Sequence, residues 1–239
     1  MTRSVLFLAT FLMVMFPGHV NAQGTPARSS GAAEDRSWDT DPNGGRLFFA
    51  PTARITPSRR GAVTLYELIL PTVSVTIHED FILTAGVPLM KDIYGVQAWL
   101  VSGKYNLLTE GRTDAAIAAL GFFEGSETRG FLYGVITIGD DDRSLTGGIG
   151  YSYVSSEHLF YETGDYTSEG GSFYIGGDLR LGPDLKLVSE NHFLPGTDTL
   201  ISLGIRFIGE KISVDLGTGM IRPERNPGFL PVIIVAWNW

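Results

Sequence analysis

The chain reads as an all-β protein, an antiparallel up-and-down transmembrane β-barrel of about twelve strands (10–14). Three observations predict this. After Arg46 no segment shows convincing helical periodicity; apolar and polar residues alternate in short runs instead. Short turns and longer polar loops alternate along the chain, as they do when strands run up and down a barrel wall. The last nine residues, Pro231 to Trp239, form an apolar run with Trp at its end. An unpaired strand of that kind is a sticky edge, and a closed barrel removes the edge by pairing its last strand with its first.

The N-terminus has the make-up of a secretory signal peptide. Arg3 supplies positive charge, and Val5 to Phe16 is an apolar core shorter than the ~20 residues a helical span needs. Pro17-Gly18 ends the run, and Val20-Asn21-Ala22 offers a peptidase site, so cleavage is expected between Ala22 and Gln23. The expected organisation is a signal peptide over 1–22, a disordered periplasmic linker over 23–45, and a barrel over 46–239. The linker assignment rests on its small, polar, turn-rich composition, with Trp38 the one bulky residue.

The net charge is −8, which disfavours nucleic acid as a partner because phosphate contacts need a basic face. There is no cysteine, so disulfides, thiolate metal sites and lipid attachment through a thiol are excluded.

Tight turns are expected at His78-Glu79-Asp80, Thr109 to Thr113, Gly139 to Arg143, Gly182-Pro183-Asp184 and Gly209-Glu210. Longer loops are expected at Thr56 to Gly61, Pro88 to Ile93, Glu124 to Arg129, Ser155 to Gly170, Pro195 to Asp198 and Arg222 to Gly228. These connections separate twelve strands, the first beginning at Arg46 and the second running unbroken from Ala62 to Ile77. An even count places both ends on one side of the membrane.

Register supplies an internal check. A two-residue turn at Gly209-Glu210 sets Phe207 against Ile212 and Ile205 against Val214, with Arg206 facing Ser213 and Gly204 facing Asp215. The turn at Pro183 sets Leu179 against Leu187 and Arg180 against Lys186. The turn at Glu79 sets Val75 against Leu83 and Ser74 against Thr84. Tyr105 falls opposite Ile117 across Gly111. Every hairpin has one apolar face and one that is mostly polar or small. The apolar face would point inward in a soluble barrel and outward in a membrane barrel. The aromatic residues on it, Trp99, Phe123, Phe131, Tyr151, Tyr153, Phe173, Phe207, Phe229, Trp237 and Trp239, favour the membrane, where rims carry aromatic girdles. Two features break the pattern. Glu67 falls on the lipid face, which calls for a position near the outer rim or a bulge, and Pro71 favours the bulge. The last strand is apolar on both faces through Val232, Ile234 and Ala236, so its inner side needs packing.

The terminal segment PVIIVAWNW, with Ile233, Val235, Trp237 and Trp239 on one face, resembles the C-terminal signature of bacterial outer-membrane β-barrel proteins. The resemblance implies Sec-type export, contact with periplasmic chaperones and the barrel-assembly machinery, and a final place among outer-membrane lipid of a diderm bacterium. It implies no particular activity.

Residues placed on the lumen face are Tyr174, Asp178, Arg180, Lys186, Glu190, His192, Arg206 and Asp215. They would tune solute selectivity in a small pore or pair with one another in a filled interior. Arg180, Lys186 and Arg206 form a basic cluster near the periplasmic mouth unless barrel shear separates them. No constriction loop or plug is evident.

Catalysis lacks a motif. Ser155-Ser156-Glu157-His158 offers suitable residue types, but sequence neighbours seldom form a triad. The His-x-Ser of outer-membrane phospholipases and the Asp-x-His of outer-membrane proteases are missing. His78-Glu79-Asp80 and Asp140-Asp141-Asp142 read as hydrated turns, so no metal and no cofactor is expected. The leading expectation is a small pore or a side-chain-filled structural barrel, with a small solute in the lumen as the partner that a pore admits. The alternatives are an outer-membrane hydrolase and a soluble periplasmic ligand-binding barrel.

Overall fold

Period-two alternation with turn residues every ten or so positions builds long hairpins, and twelve of their strands close on themselves. The computed structural model describes residues 41–55, 60–89, 98–125, 127–155, 170–193, 199–222 and 228–239. The signal peptide, most of the linker with Trp38, and His158 with most of its loop lie outside the described residues. The strands are β1 (Gly61–Tyr66), β2 (Leu70–His78), β3 (Phe81–Gly86), β4 (Ala98–Glu110), β5 (Thr113–Glu124) and β6 (Glu127–Gly139). They continue as β7 (Arg143–Ser155), β8 (Gly170–Gly182), β9 (Leu185–Phe193), β10 (Thr199–Ile208), β11 (Ile212–Arg222) and β12 (Gly228–Asn238). Each pairs antiparallel with its chain neighbours, and β1 pairs β12 to close the barrel. Val63 lies opposite Trp237, and the Trp239 amide donates to the Gly61 carbonyl at 3.3 Å. All backbone edges in the wall are thereby paired, as a lipid-embedded sheet requires.

The apolar face points outward. Ile77, Leu132, Ile136, Ile149 and Leu216 are exposed on the outside, whereas Thr64, Thr137, Thr146, Ser202 and Ser213 are buried on the inside. This is the membrane arrangement, not the soluble one. Trp99, Phe123, Tyr151, Tyr153, Phe173 and Phe229 are exposed toward the loop end; Phe207, Trp237 and Trp239 sit toward the turn end. The Trp237 and Trp239 rings lie 5.6 Å apart, and the Phe173 and Phe193 rings stack at 4.5 Å. Phe131 departs from the expected girdle. It pairs with Ser152 and shares the parity of Val135 and Thr137, so it lies on the interior side.

The strand count is twelve, but its inventory differs from the sequence expectation. Arg46 to Ile55 is not a wall strand. The expected single strand Ala62 to Ile77 is instead a hairpin, β1 and β2, turning at Glu67-Leu68-Ile69. Glu67 and Leu68 have φ of 49° and 59°, left-handed values that mark a real turn. The two differences cancel in the count. They also resolve the misplaced Glu67, which sits in the rim turn and accepts the Ile233 amide at 3.2 Å. The bulges fall elsewhere, at Thr76/His78, Asn106/Leu108 and Arg180/Gly182.

The pairings Val75–Leu83, Ser74–Thr84, Tyr105–Ile117, Leu179–Leu187 and Arg180–Lys186 occur as the sequence suggests. The β10–β11 hairpin is shifted by two. Arg206 faces Asp215 and Phe207 faces Val214, because Gly209, Glu210 and Lys211 form a longer turn. A shift of two preserves every face, and here it sets a cation against an acid across the hairpin.

Two outcomes follow for the folded chain in bilayers. It should run with altered gel mobility until boiled in detergent. Leu132→Arg, an outward substitution near mid-strand, should cost roughly 2–4 kcal/mol in denaturant unfolding from vesicles. A cost near zero would contradict the outward orientation of that face.

Candidate functional site: a finger inside the barrel

The lumen is occupied by the chain itself. Asp41 to Ile55 enters from the turn end, rises, reverses and descends again toward the turn end. The reversal is a tight hairpin: Arg46 pairs with Pro51, the Leu47 amide donates to the Ala50 carbonyl at 2.9 Å, and the Thr52 amide donates to the Gly45 carbonyl at 3.0 Å. Local chemistry favours the shape. The Asn43 amide donates to Asp41 Oδ1 at 2.9 Å, an Asx turn, and Pro42, Gly44 and Gly45 suit the bends around it. Asp41 to Gly45 was expected within a disordered linker. It is a turn, and Asp41 and Asn43 are buried by the barrel wall. The barrel's interior therefore does contain a plug-like element, contrary to the expectation of none.

Irregular backbone inside a membrane barrel needs partners for its amides and carbonyls. The wall provides them. Glu190, fully buried on β9, accepts three successive amides on Oε2: Phe48 at 2.9 Å, Phe49 at 3.0 Å and Ala50 at 2.9 Å. Its other oxygen pairs with His192 Nε2. Lys104, on β4, spends all three ammonium protons on finger carbonyls: Gly45 at 3.0 Å, Thr52 at 3.0 Å and Arg54 at 2.6 Å. Tyr174 donates its hydroxyl to the Pro51 carbonyl at 2.8 Å. Asn106 reaches the Ala53 carbonyl at 3.1 Å, Thr137 accepts the Ala53 amide at 2.8 Å, and Asn238 donates to the Pro42 carbonyl at 2.9 Å.

The base of the finger is fixed by charge. Arg206 forms a two-pronged pair with Asp215, Nε to Oδ1 at 2.7 Å and Nη2 to Oδ2 at 2.9 Å. Its remaining nitrogen donates to Asp41 Oδ2 at 2.9 Å. The guanidinium also donates to the finger carbonyls of Asn43, Arg46 and Leu47. Lys186 bridges Asp41 at 3.2 Å and Asp178 at 3.3 Å. Arg206 is 1% exposed and Asp215 0%, so the pairing is obligatory rather than ornamental.

The expected lumen residues thus separate into roles. Arg206, Asp215, Lys186 and Asp178 gather around Asp41. Glu190 with His192 holds the finger tip, and Tyr174 holds its descending limb, with its ring 5.6 Å from that of His192. Arg180 does not join Lys186 and Arg206. It pairs with Asp142 at 3.1 Å and donates to the Pro183 carbonyl, both in turns. Ile233 and Val235 are half-buried, while Trp237 and Trp239 are exposed at the turn-end rim.

Sequence reading missed Asp41, Asn43, Arg46, Lys104, Asn106 and Thr137. The signal for Lys104 was its place on the polar face of a strand. The signal for the finger was the inner face of β12, whose Val232 and Ile234 pack against Leu47 and Phe48. Gly176 is a second signal: a Cβ there would lie 2.5 Å from Leu47 Cδ1 and 2.3 Å from the Ser189 carbonyl.

Apart from Lys104 and Asn106 of β4 and Asp114 of β5, which hold its lower part, the finger packs against β6–β12, and it leaves a cavity of about 360 Å³ lined largely by β1–β5. Its turn-end half carries Thr76, Thr84, Ser74 and Lys104; its loop-end half carries Tyr66, Leu70, Leu100, Leu120, Phe122 and Tyr133. At the rim, burial raises the Glu67 carboxyl above its ordinary value, partly offset by the Ile233 amide. His78, Glu79 and Asp80 bring ligand atoms together in a turn, with side chains largely open to solvent.

A closed barrel with an apolar exterior, aromatic rims and a polar lumen defines a transmembrane β-barrel of the bacterial outer-membrane type. Among solved structures the chain is similar to the KdgM porin in complex with disordered oligogalacturonate, at 11% identity and a TM-score of 0.56, covering 75% of this chain and 97% of that one. The NanC porin is similar at 8% identity and a TM-score of 0.52, covering 75% of this chain and 98% of that one. At such identities the likeness is one of fold. No family model matches the sequence, and no curated protein matches it.

The roles of Glu190 and Arg206 are separable. Glu190→Gln should leave the barrel intact but speed hydrogen exchange at Phe48, Phe49 and Ala50, since bonds to a charged acceptor contribute roughly 1.5–3 kcal/mol each. Arg206→Ala should cost roughly 3–5 kcal/mol by leaving Asp215 buried without a cation and Asp41 with Lys186 alone, and Asp215→Asn in the same chain should recover part of it.

Proposed function

We propose that this chain is an outer-membrane conduit for small solutes, narrowed by its own N-terminal finger. The observation that carries this reading is the residual cavity. Its lining runs from Ala62 and Asn238 near the turn end to Glu67 and Ile69 at the loop-end rim, so the finger fills only one side of the lumen. A volume near 360 Å³ is of the size that holds a small molecule. The similarity to porins supports the same reading at the level of fold.

The mature protein is proposed to start at Gln23 after cleavage behind Ala22 and to reach the outer membrane with periplasmic chaperones. Ile233, Val235, Trp237 and Trp239 are proposed as the face read by the barrel-assembly machinery. The reading is non-enzymatic and needs no cofactor. It also departs from polyanion passage: Arg206, Lys186 and Lys104 are committed to carboxylates or finger carbonyls, so among the described residues no ladder of free cations faces the cavity.

A filled structural barrel is the second reading, favoured by the density of buried pairs around Asp41. Planar-bilayer conductance separates the two. The folded chain should give small steps, and a Glu190→Ala/Asp41→Ala variant should give steps several-fold larger or visibly noisier as the finger loosens. A barrel that stays silent in both forms would overturn the conduit and leave the structural reading.

A further inference from the structure

Arg46 stands apart from the other luminal cations. It lies on the ascending limb of the finger, half-buried, and its side chain lines the cavity. Arg206, Lys186, Arg54 and Arg180 each meet a carboxylate, and Lys104 meets three carbonyls. Among the described residues no carboxylate and no hydrogen-bond acceptor engages the Arg46 guanidinium. Its contact is the Tyr66 ring, 5.4 Å from the centroid. The Tyr133 phenol is its strongest titratable neighbour, and the carboxylates whose field reaches it are already used: Asp215 by Arg206, and Glu190 by three finger amides. Glu67, on the same cavity, is engaged by the Ile233 amide. A guanidinium carries five donors and no acceptor, and leaving it inside a barrel without an anion is costly.

The surroundings restrict what that anion can be attached to. Around the loop-end half, Leu70, Leu100, Leu120 and Phe122 present aliphatic and aromatic surface with few hydrogen-bonding groups. One free positive charge matches one negative charge. A flat fork matches a carboxylate in two-pronged fashion, and the apolar wall matches a hydrocarbon or aryl body. We propose that the cavity is a binding site for a small amphiphilic monoanion, a medium-chain or aromatic carboxylate, clamped by Arg46 with its apolar body against Leu100, Leu120 and Phe122. This names a solute class for the proposed conduit and rests on that reading for transport, though not for binding.

The test is calorimetric titration of the folded full chain in nanodiscs with sodium octanoate, alongside octanol and acetate. Octanoate should bind saturably at one site, with octanol and acetate at least tenfold weaker. Arg46→Gln should weaken octanoate tenfold or more, and Arg46→Lys should lose less. Leu120→Asp, which places a like charge in the cavity, should abolish octanoate binding while all three variants keep the heat-modifiable mobility of a folded barrel. Octanoate bound equally by Arg46→Gln, or acetate bound as tightly as octanoate, would overturn the site. Conductance measured on the same preparations distinguishes the two readings: binding without conductance removes the conduit alone, and conductance without octanoate binding removes this site alone.

Discussion

The structure depends on one constraint: inside a bilayer every backbone amide and carbonyl must find a partner within the protein. For the wall, closure of β1 on β12 satisfies it. For the finger, no neighbouring strand is available, so side chains on the inner face take the place of a ladder. Glu190 answers three amides and Lys104 three carbonyls. The identity of the luminal residues follows from the non-strand backbone they must satisfy.

That logic also explains the charge pattern. Arg206 and Lys186 on the wall face Asp215 and Asp178 on the wall, and Asp41 arrives from the finger between them. The site is closed by an acid that lies more than a hundred residues from its partners. Without Asp41 the two cations would share fewer acids, and a water-filled lumen would be needed to hold them. Finger and wall are therefore one electrostatic unit, and the residual cavity is what the unit leaves open against β1–β5.

Much of the wall was legible because a period of two is a local property. Face assignment at Val75–Leu83, Tyr105–Ile117 and Leu179–Leu187 follows from alternation and turn position alone. The β10–β11 hairpin kept its faces despite a shifted register, since a shift of two returns every side chain to the same side. Arg46 to Ile55 was misread because its composition, apolar with a proline, is also that of an edge strand. Ala62 to Ile77 was misread because the turn at Glu67-Leu68 uses left-handed backbone without a glycine to announce it. Phe131 was assigned outward because aromatics populate rims, while its parity puts it inside.

The sequence by itself determined the fold class and which residues share a face from β8 to β11, because both are written in alternation that a single strand displays; the outward direction of the apolar face came from its aromatic residues and the terminal Trp, not from alternation. Only the tertiary structure decided what those luminal residues hold. Whether Glu190 lines a pore or grips a finger depends on where a segment 140 residues away is placed. No local pattern encodes that separation; it is set by closure of the barrel around the chain that precedes it.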